Sequence, residues 1–275
     1  TGQVGRHWVM EGIRTRMINI AILSAKGGTG KTTLSIALAH QYAIANPERE
    51  VVLLDADNQG NVALSLNLKT ANTLGAFLYQ ATDTIDVVRY KPDVPFLVCE
   101  SGRMHLYEAE KRIYREKHPE RYFSEHVLPE FDPNALLIWD LPPTLSIIND
   151  NVLYLADYVV IPTHTDYLSL TGIGNLLAYL DHFRSMHGKS VRLLGIAITL
   201  HREHVRQNRM NKESLETAFP DLLFQTAIPL ATAIATAAQN HQTPLETAEP
   251  RAREAYRALV REIHQRMRTS IESHG

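Results

Sequence analysis

The sequence predicts an α/β fold: a doubly wound, mostly parallel sheet with helices on both faces. Three observations predict it. Short, nearly continuous Val/Ile/Leu runs take turns with longer helical patterns, which is how strands buried on both faces and their crossover helices read. A glycine-rich loop carrying lysines joins the first such run to the first helix pattern. Two later apolar runs end in aspartate, at the carboxyl ends of strands where ligands of doubly wound sheets bind.

The elements follow in order. Ile18–Leu23 (INIAIL) is expected to be a strand, Thr32–Ala45 a helix and Val51–Asp55 (VVLLD) a strand. Phe96–Cys99 reads as a strand, followed by a charged helical stretch around Met104–Val127. Leu136–Asp140 (LLIWD) is a strand, Ile147–Ala156 a helix, Tyr158–Pro162 (YVVIP) a strand and Leu168–Met186 a helix. Arg192–Leu200 is a strand, Gln207–Ala218 a helix, Phe224–Ile228 a last strand and Arg251–Arg268 a final helix. Repeated βα units of this kind make one doubly wound sheet. Neither a Pro/Gly-rich linker nor a fixed-period repeat divides the chain, so residues 17–275 are expected to form a single domain. Residues 1–16 are expected to be an N-terminal extension, partly foreign to the natural chain, with a natural start expected at Met10 or Met17.

Composition narrows the function. The 275 residues are 44% hydrophobic and 21% charged, which excludes disorder by composition. A formal net charge of −2 excludes a wholly basic nucleic-acid coat, so any such contact needs a local patch. A single cysteine, Cys99, cannot make an internal disulfide, a redox pair or an iron–sulfur cluster, and fits a reducing compartment and a place in the core. Apolar runs fall far short of the roughly 20 residues a bilayer span needs. The first sixteen residues carry three arginines without an apolar stretch, so no signal peptide is expected.

The loop Ala25-Lys26-Gly27-Gly28-Thr29-Gly30-Lys31-Thr32-Thr33 carries the chemistry. Glycines let a backbone turn its N–H groups onto phosphate oxygens, and the following helix adds its positive end. Lys31 can reach β- and γ-phosphates, and the Thr32 hydroxyl can bind Mg2+. The strict phosphate-loop pattern wants glycine where Ala25 stands. Asp55 and Asp57 leave the second strand at i and i+2, so one can orient a water while the other supports Mg2+ or holds the loops. Asp140, ending an apolar strand before Leu141-Pro142-Pro143, is placed to reach Mg2+.

The run KGGTGKTT, with its extra Lys26, resembles the deviant Walker A motif of the ParA/MinD family of ATPases, and most closely the short ParA-type proteins. DADNQGN resembles that family's second motif, with Asn58 where proline is usual, and the stretch from Asp140 follows its third over about thirty residues. The resemblance spans roughly Met17 to Arg268. It implies an ATP-binding, slowly hydrolysing dimeric switch with ATP and Mg2+ as cofactors. Gly27, Gly28, Thr29, Gly30, Lys31, Thr32 and Thr33 would bind nucleotide, and Thr32, Asp55 and Asp140 the metal. Lys26 would cross the dimer interface to the partner's nucleotide, and Asp57 would position the catalytic water. Thr199 and Pro229 would lie beside the adenine.

The resemblance further implies an ATP-dependent homodimer, nonspecific DNA as a matrix, a ParB-like or other adaptor that stimulates hydrolysis, and a cytoplasmic, nucleoid-associated location. Arg202, Arg206, Arg209 and Lys212 form a basic stretch suited to DNA. One basic contact usual after the family's Ile-Pro turn is replaced here by Leu230-Ala231-Thr232-Ala233. Alternatives are a MinD-like membrane-recruited regulator and a metabolic ATPase or ligase of the same superfamily. Tyr256, Leu259, Val260, Ile263 and Met267 form a helical apolar stripe that either anchors to a membrane or, as favoured here, packs on the sheet. His201 and His204 lack the third ligand that a metal site needs.

Overall fold

The computed structural model describes residues 16–272, so residues 1–15 of the expected extension lie outside the described residues. The elements run β1 (Ile18–Ile22), α1 (Lys31–Ala45), β2 (Val51–Asp55), α2 (Asn61–Leu66), α3 (Leu74–Leu78), β3 (Val88–Lys91) and β4 (Val94–Cys99). There follow α4 (Arg103–Ile113), α5 (Tyr122–His126), β5 (Leu136–Asp140), α6 (Ile147–Leu155), β6 (Tyr158–Thr163), α7 (Ser169–His187), β7 (Arg192–Ile198), α8 (Arg206–Ala218), α9 (Thr232–Gln239) and α10 (Pro250–Glu272).

The seven strands form one sheet in the order β3-β4-β2-β5-β1-β6-β7, parallel except for the β3–β4 pair. The five-residue strands β1, β2 and β5 are buried along their whole length, as their unbroken apolar sequences require. Period-two alternation divides β1 between two cores: Ile18, Ile20 and Ile22 pack with α1 and α10, while Ala21 and Leu23 pack with the layer of α4 to α7. Register aligns the chemistry. Ile22 of β1 and Asp55 of β2 both stand opposite Asp140 of β5, so three strand ends open on one point. Trp139, fully buried beside Asp140, donates its indole N–H to Asn19 Oδ1 at 3.1 Å and so satisfies the one polar atom it brings inside.

Two expected elements differ. The helical stretch around 104–127 is broken after Ile113 and resumes as α5 between short 3-10 turns at Pro119–Arg121 and Leu128–Glu130, because prolines 119 and 129 supply no amide. The expected strand Phe224–Ile228 meets the edge of β7 at its two ends without forming a continuous ladder: the Phe224 and Ile228 amides donate to Ile196 O and Ile198 O at 2.9 and 2.8 Å, beside the bridges Ile196–Leu223 and His201–Pro229. Between them the amides of Gln225 and Thr226 donate instead to the Glu262 carboxylate of α10, at 2.7 and 2.9 Å, which lifts the middle of the segment out of the ladder. The local sequence pattern does not mark β3, α2, α3 or α9. The α3–α4 contact depends on Gly75, where a Cβ would sit 2.4 Å from the backbone nitrogen of Leu106.

Among the described residues no helix is long and apolar enough to cross a membrane. Tyr256, Leu259, Val260, Ile263 and Met267 are buried in the core shared with α1, so the α10 stripe is occupied by packing.

His40 of α1 joins the same layer to the segment after α9: its Nδ1 lies 2.6 Å from Thr243 Oγ1. Burial pushes the imidazole down to about 4, with the Glu246 carboxylate opposing. The folded chain thus keeps His40 neutral where the unfolded chain, titrating near 6.5, takes up a proton. Stability is complete above pH 6.5 and falls as pH drops toward 4, by up to about 3 kcal/mol for this group. Urea melts across that window should show the wild type losing more than His40→Asn by about that amount; parallel curves would refute the assignment.

Candidate active site

The loop between β1 and α1 takes left-handed backbone at Gly28 (φ 77°) and Gly30 (φ 72°), where other residues would be strained. A Cβ built on Gly27 or Gly28 would meet nothing within 4 Å, so this part of the loop borders open space. Gly30 opens the 15-residue α1 without a side-chain cap, leaving the helix's first amides and its positive end facing the loop. Thr29 Oγ1 is buried with no hydrogen-bond partner, an orphaned donor at the same place. The loop is steadied from β7 by Thr199, whose hydroxyl donates to Thr29 O at 2.6 Å.

Lys31, only 7% exposed, brings its ammonium to 3.1 Å from Asp140 Oδ1 and 3.5 Å from Asp57 Oδ2. Burial alone pulls this ammonium's pKa down; Asp140 and then Asp57 outweigh it and hold the pKa above its ordinary value. Asp140 is engaged on both oxygens, accepting from Thr32 Oγ1 at 2.6 Å and from Ser35 Oγ at 3.2 Å. Ser35 is not among the residues expected at the site from sequence. Its position four residues after Lys31, on the same helix face, is the signal that points to it.

Asp55 is fully buried and faces the turn that follows it. Its oxygens accept from the amides of Asp57 at 3.1 Å and Val62 at 3.0 Å. Burial, then the nearby Asp140 charge, raises its pKa well above the carboxylate range, with these two amides opposing. Asp57 Oδ1 accepts from the Gln59 amide at 3.0 Å, an Asx turn that forms without the proline usual at Asn58. Beyond it lies a cleft of about 290 Å³ between this turn, Tyr107 of α4 and Pro142–Pro143. Ser146 and Asn149 close that side with a reciprocal cap on α6.

The structure thus brings Lys31, Thr32, Asp57 and Asp140 together, with Asp55 one layer behind. Lys26 stands apart: its ammonium pairs with Asp166 Oδ2 of its own chain at 2.6 Å, at the mouth of a cleft of about 360 Å³ lined also by Gly172 and Ile173. Thr33 is half-buried on the first turn of α1, and Pro229 is half-buried beside His201. Arg202, Arg206 and Arg209 are exposed on and before α8. Arg209 donates to the backbone Glu203 O at 3.1 Å, which leaves its charge in place, while Lys212 pairs with Glu216 at 3.2 Å, so the patch is basic and neutralised at Lys212. His201 is buried rather than a surface group, held between Thr165 Oγ1 at 3.2 Å and Glu203 Oε2 at 2.9 Å. Among the described residues no His, Cys, Asp and Glu cluster of three or more is arranged to hold a metal by itself. Cys99 is buried, and burial raises its thiol pKa far out of the reactive range.

Chemically, glycine-loop amides, an uncapped helix start and Lys31 form a receptor for a polyanion. The carboxylates behind it are placed to hold a divalent ion and a water.

The chain is similar to known proteins over most of its length. A family model described as an AAA domain (AAA_31) matches residues 17–193. The chromosome-partitioning ATPase Soj of Thermus thermophilus is 29% identical over 262 residues, covering 93% of this chain and 98% of that one. The sporulation initiation inhibitor protein Soj of Bacillus subtilis is likewise 29% identical, over 89% and 97% of the two chains. The fold matches that of the Cyanothece McdA–ATP complex with a TM-score of 0.77 at 17% identity, over 90% of this chain and 96% of that one. With the glycine loop, its lysines and the two strand-end aspartates in register, the chain belongs to this AAA-domain family of ParA/MinD-type P-loop ATPases.

Proposed function

We propose that the chain is a dimeric partition or positioning switch that binds ATP with Mg2+, hydrolyses it slowly and moves DNA or another cargo. The observation that carries this reading is the buried Lys31 ammonium held between Asp140 and Asp57 under an uncapped helix start. The residues fit a magnesium-bound triphosphate. Thr29 keeps a buried hydroxyl without a partner, and Thr32 with Asp140 offers hard oxygen donors of the kind Mg2+ selects. Bound there, Mg2+ would neutralise charge developing on the phosphates.

The chain's own residues divide the work. Gly27, Gly28, Thr29 and Gly30 present amides to the β- and γ-phosphates, and Lys31 exchanges its carboxylate contacts for phosphate oxygens. Thr32 and Asp140 hold the metal, while Thr33, Thr199 and Pro229 line the nucleoside side. Asp57 orients a water for in-line attack. Asp55, expected among the metal ligands, is assigned instead to shaping the Asp57 turn, because its oxygens accept from backbone amides of that turn, whereas the Asp140 oxygens are met by side chains, Thr32 and Lys31 among them, that can turn to metal and phosphate. Lys26 reaches a second subunit's nucleotide once ATP draws two chains together.

Partition of chromosomal or plasmid DNA is the cargo role that the Soj relatives favour, with nonspecific DNA as the surface and a ParB-like adaptor as the activator. Arg202, Arg206, Arg209 and Lys212 supply the phosphate contacts. A MinD-like membrane role is disfavoured by the occupied α10 stripe. A cytoplasmic site on the nucleoid follows from the same reading.

Calorimetry with Mg·ATP should register binding in the wild type and in Asp57→Ala, while phosphate release from the variant falls at least about a hundredfold, the scale of losing a water-orienting carboxylate. Normal turnover by Asp57→Ala would exclude that role. Lys26→Ala should keep the binding heat yet remain monomeric by light scattering with ATP. DNA affinity should appear only with ATP and fall steeply with salt. Arg206→Ala with Arg209→Ala should reduce the log–log slope by roughly two, about one unit for each DNA phosphate no longer neutralised; an unaltered slope places DNA elsewhere.

A further inference from the structure

The segment joining β6 to α7 makes two sets of polar contacts that the proposed chemistry does not use. Asp166 faces the glycine loop. Its Oδ2 takes the Lys26 ammonium at 2.6 Å, and its Oδ1 accepts from Ser169 Oγ at 2.8 Å, so the carboxylate is aimed before Lys26 arrives. Thr165, one residue earlier, is buried and faces α8. Asn208 Nδ2 donates to Thr165 O at 2.8 Å and to its hydroxyl at 2.9 Å, Asn211 Nδ2 donates to Thr165 O at 3.0 Å, and His201 Nδ1 lies 3.2 Å from the same hydroxyl.

The packing of α8 makes these bonds matter. Of its thirteen residues only Leu215 is buried, in the last two turns. The half of the helix that carries Arg206, Arg209 and Lys212 is held by asparagine bonds to a single residue, with no fully buried apolar side chain of its own. Apolar packing would resist a shift; a few directional bonds to one peptide follow that peptide when it moves.

We propose that Asp166 is a positioning residue for Lys26, parking it on its own subunit, and that the Thr165–Asp166 peptide links the release of Lys26 to the seating of α8. The inference deepens the reading of this chain as a nucleotide switch and rests on it. The Lys26 and Asp166 side chains are 56% and 34% exposed, and an ion pair that wet is weak enough to be exchanged for a stronger anion. A triphosphate in trans is such an anion. When Lys26 leaves, Asp166 loses its cation, and its neighbour Thr165 passes the change to Asn208 and Asn211.

The test needs no nucleotide. Amine acylation of the full chain, read residue by residue by mass spectrometry, should label Lys26 about threefold faster in Asp166→Asn than in wild type, the size expected from losing one exposed pair. Asp166→Glu should restore slow labelling, and Lys111, paired elsewhere with Glu108, serves as the unchanged reference. Amide exchange over residues 206–215 should rise several-fold in Asp166→Asn and in Asn208→Ala, while exchange in α10 stays as in wild type. Equal Lys26 labelling in wild type and Asp166→Asn overturns the parking role, and unchanged α8 exchange in Asn208→Ala overturns the link. Absence of binding heat with Mg·ATP in the wild type would instead sink the nucleotide reading, leaving the labelling result to stand alone.

Discussion

The buried Lys31 ammonium constrains the rest of the molecule. Taking a lysine out of water is costly unless opposite charge stands beside it, and here that charge comes from carboxylates at or just beyond the ends of two different strands. Asp140 must end β5 beside the start of α1, and Asp57 must leave β2 two residues beyond the strand. Both conditions rest on register, since Ile22, Asp55 and Asp140 are aligned across three adjacent parallel strands. Removing one partner of such a buried pair typically costs about 3–5 kcal/mol, so sheet geometry and site electrostatics are one problem here.

The same constraint orders the residues around it. Thr32 and Ser35 hold Asp140 from the first two turns of α1, while Asp55 spends its oxygens on the amides of its own turn. The result is a rigid floor of carboxylates under a loop of glycines that is only lightly tethered. Order concentrates where charge is buried, and the open side is left to backbone amides, which need no side chain to meet an anion.

A second contrast lies between α8 and α10. α10 buries a continuous apolar stripe and shares a core with α1, so its arginines decorate a fixed helix, and Arg266 is spent bonding the carbonyls of Leu194, Leu222 and Leu223. α8 buries one leucine and leans on Thr165 through asparagines. Two arginine-rich helices that look alike as text therefore differ in mechanical character.

Strand content and the glycine loop were legible in the sequence because both are local: VVLLD and LLIWD are buried on both faces wherever they sit, and KGGTGKT turns the chain by its own backbone freedom. That Lys31, Asp57 and Asp140 meet at one site could be expected from residue type and spacing; the roles proposed for them rest on the family resemblance. Tertiary structure alone decided that Gln225 and Thr226 give their amides to Glu262, that β3 reverses to pair with β4, that His201 is buried, and that Lys26 rests on Asp166, 140 residues away. Those outcomes are competitions between partners distant in the chain, settled by register and packing, which no local pattern of residues encodes.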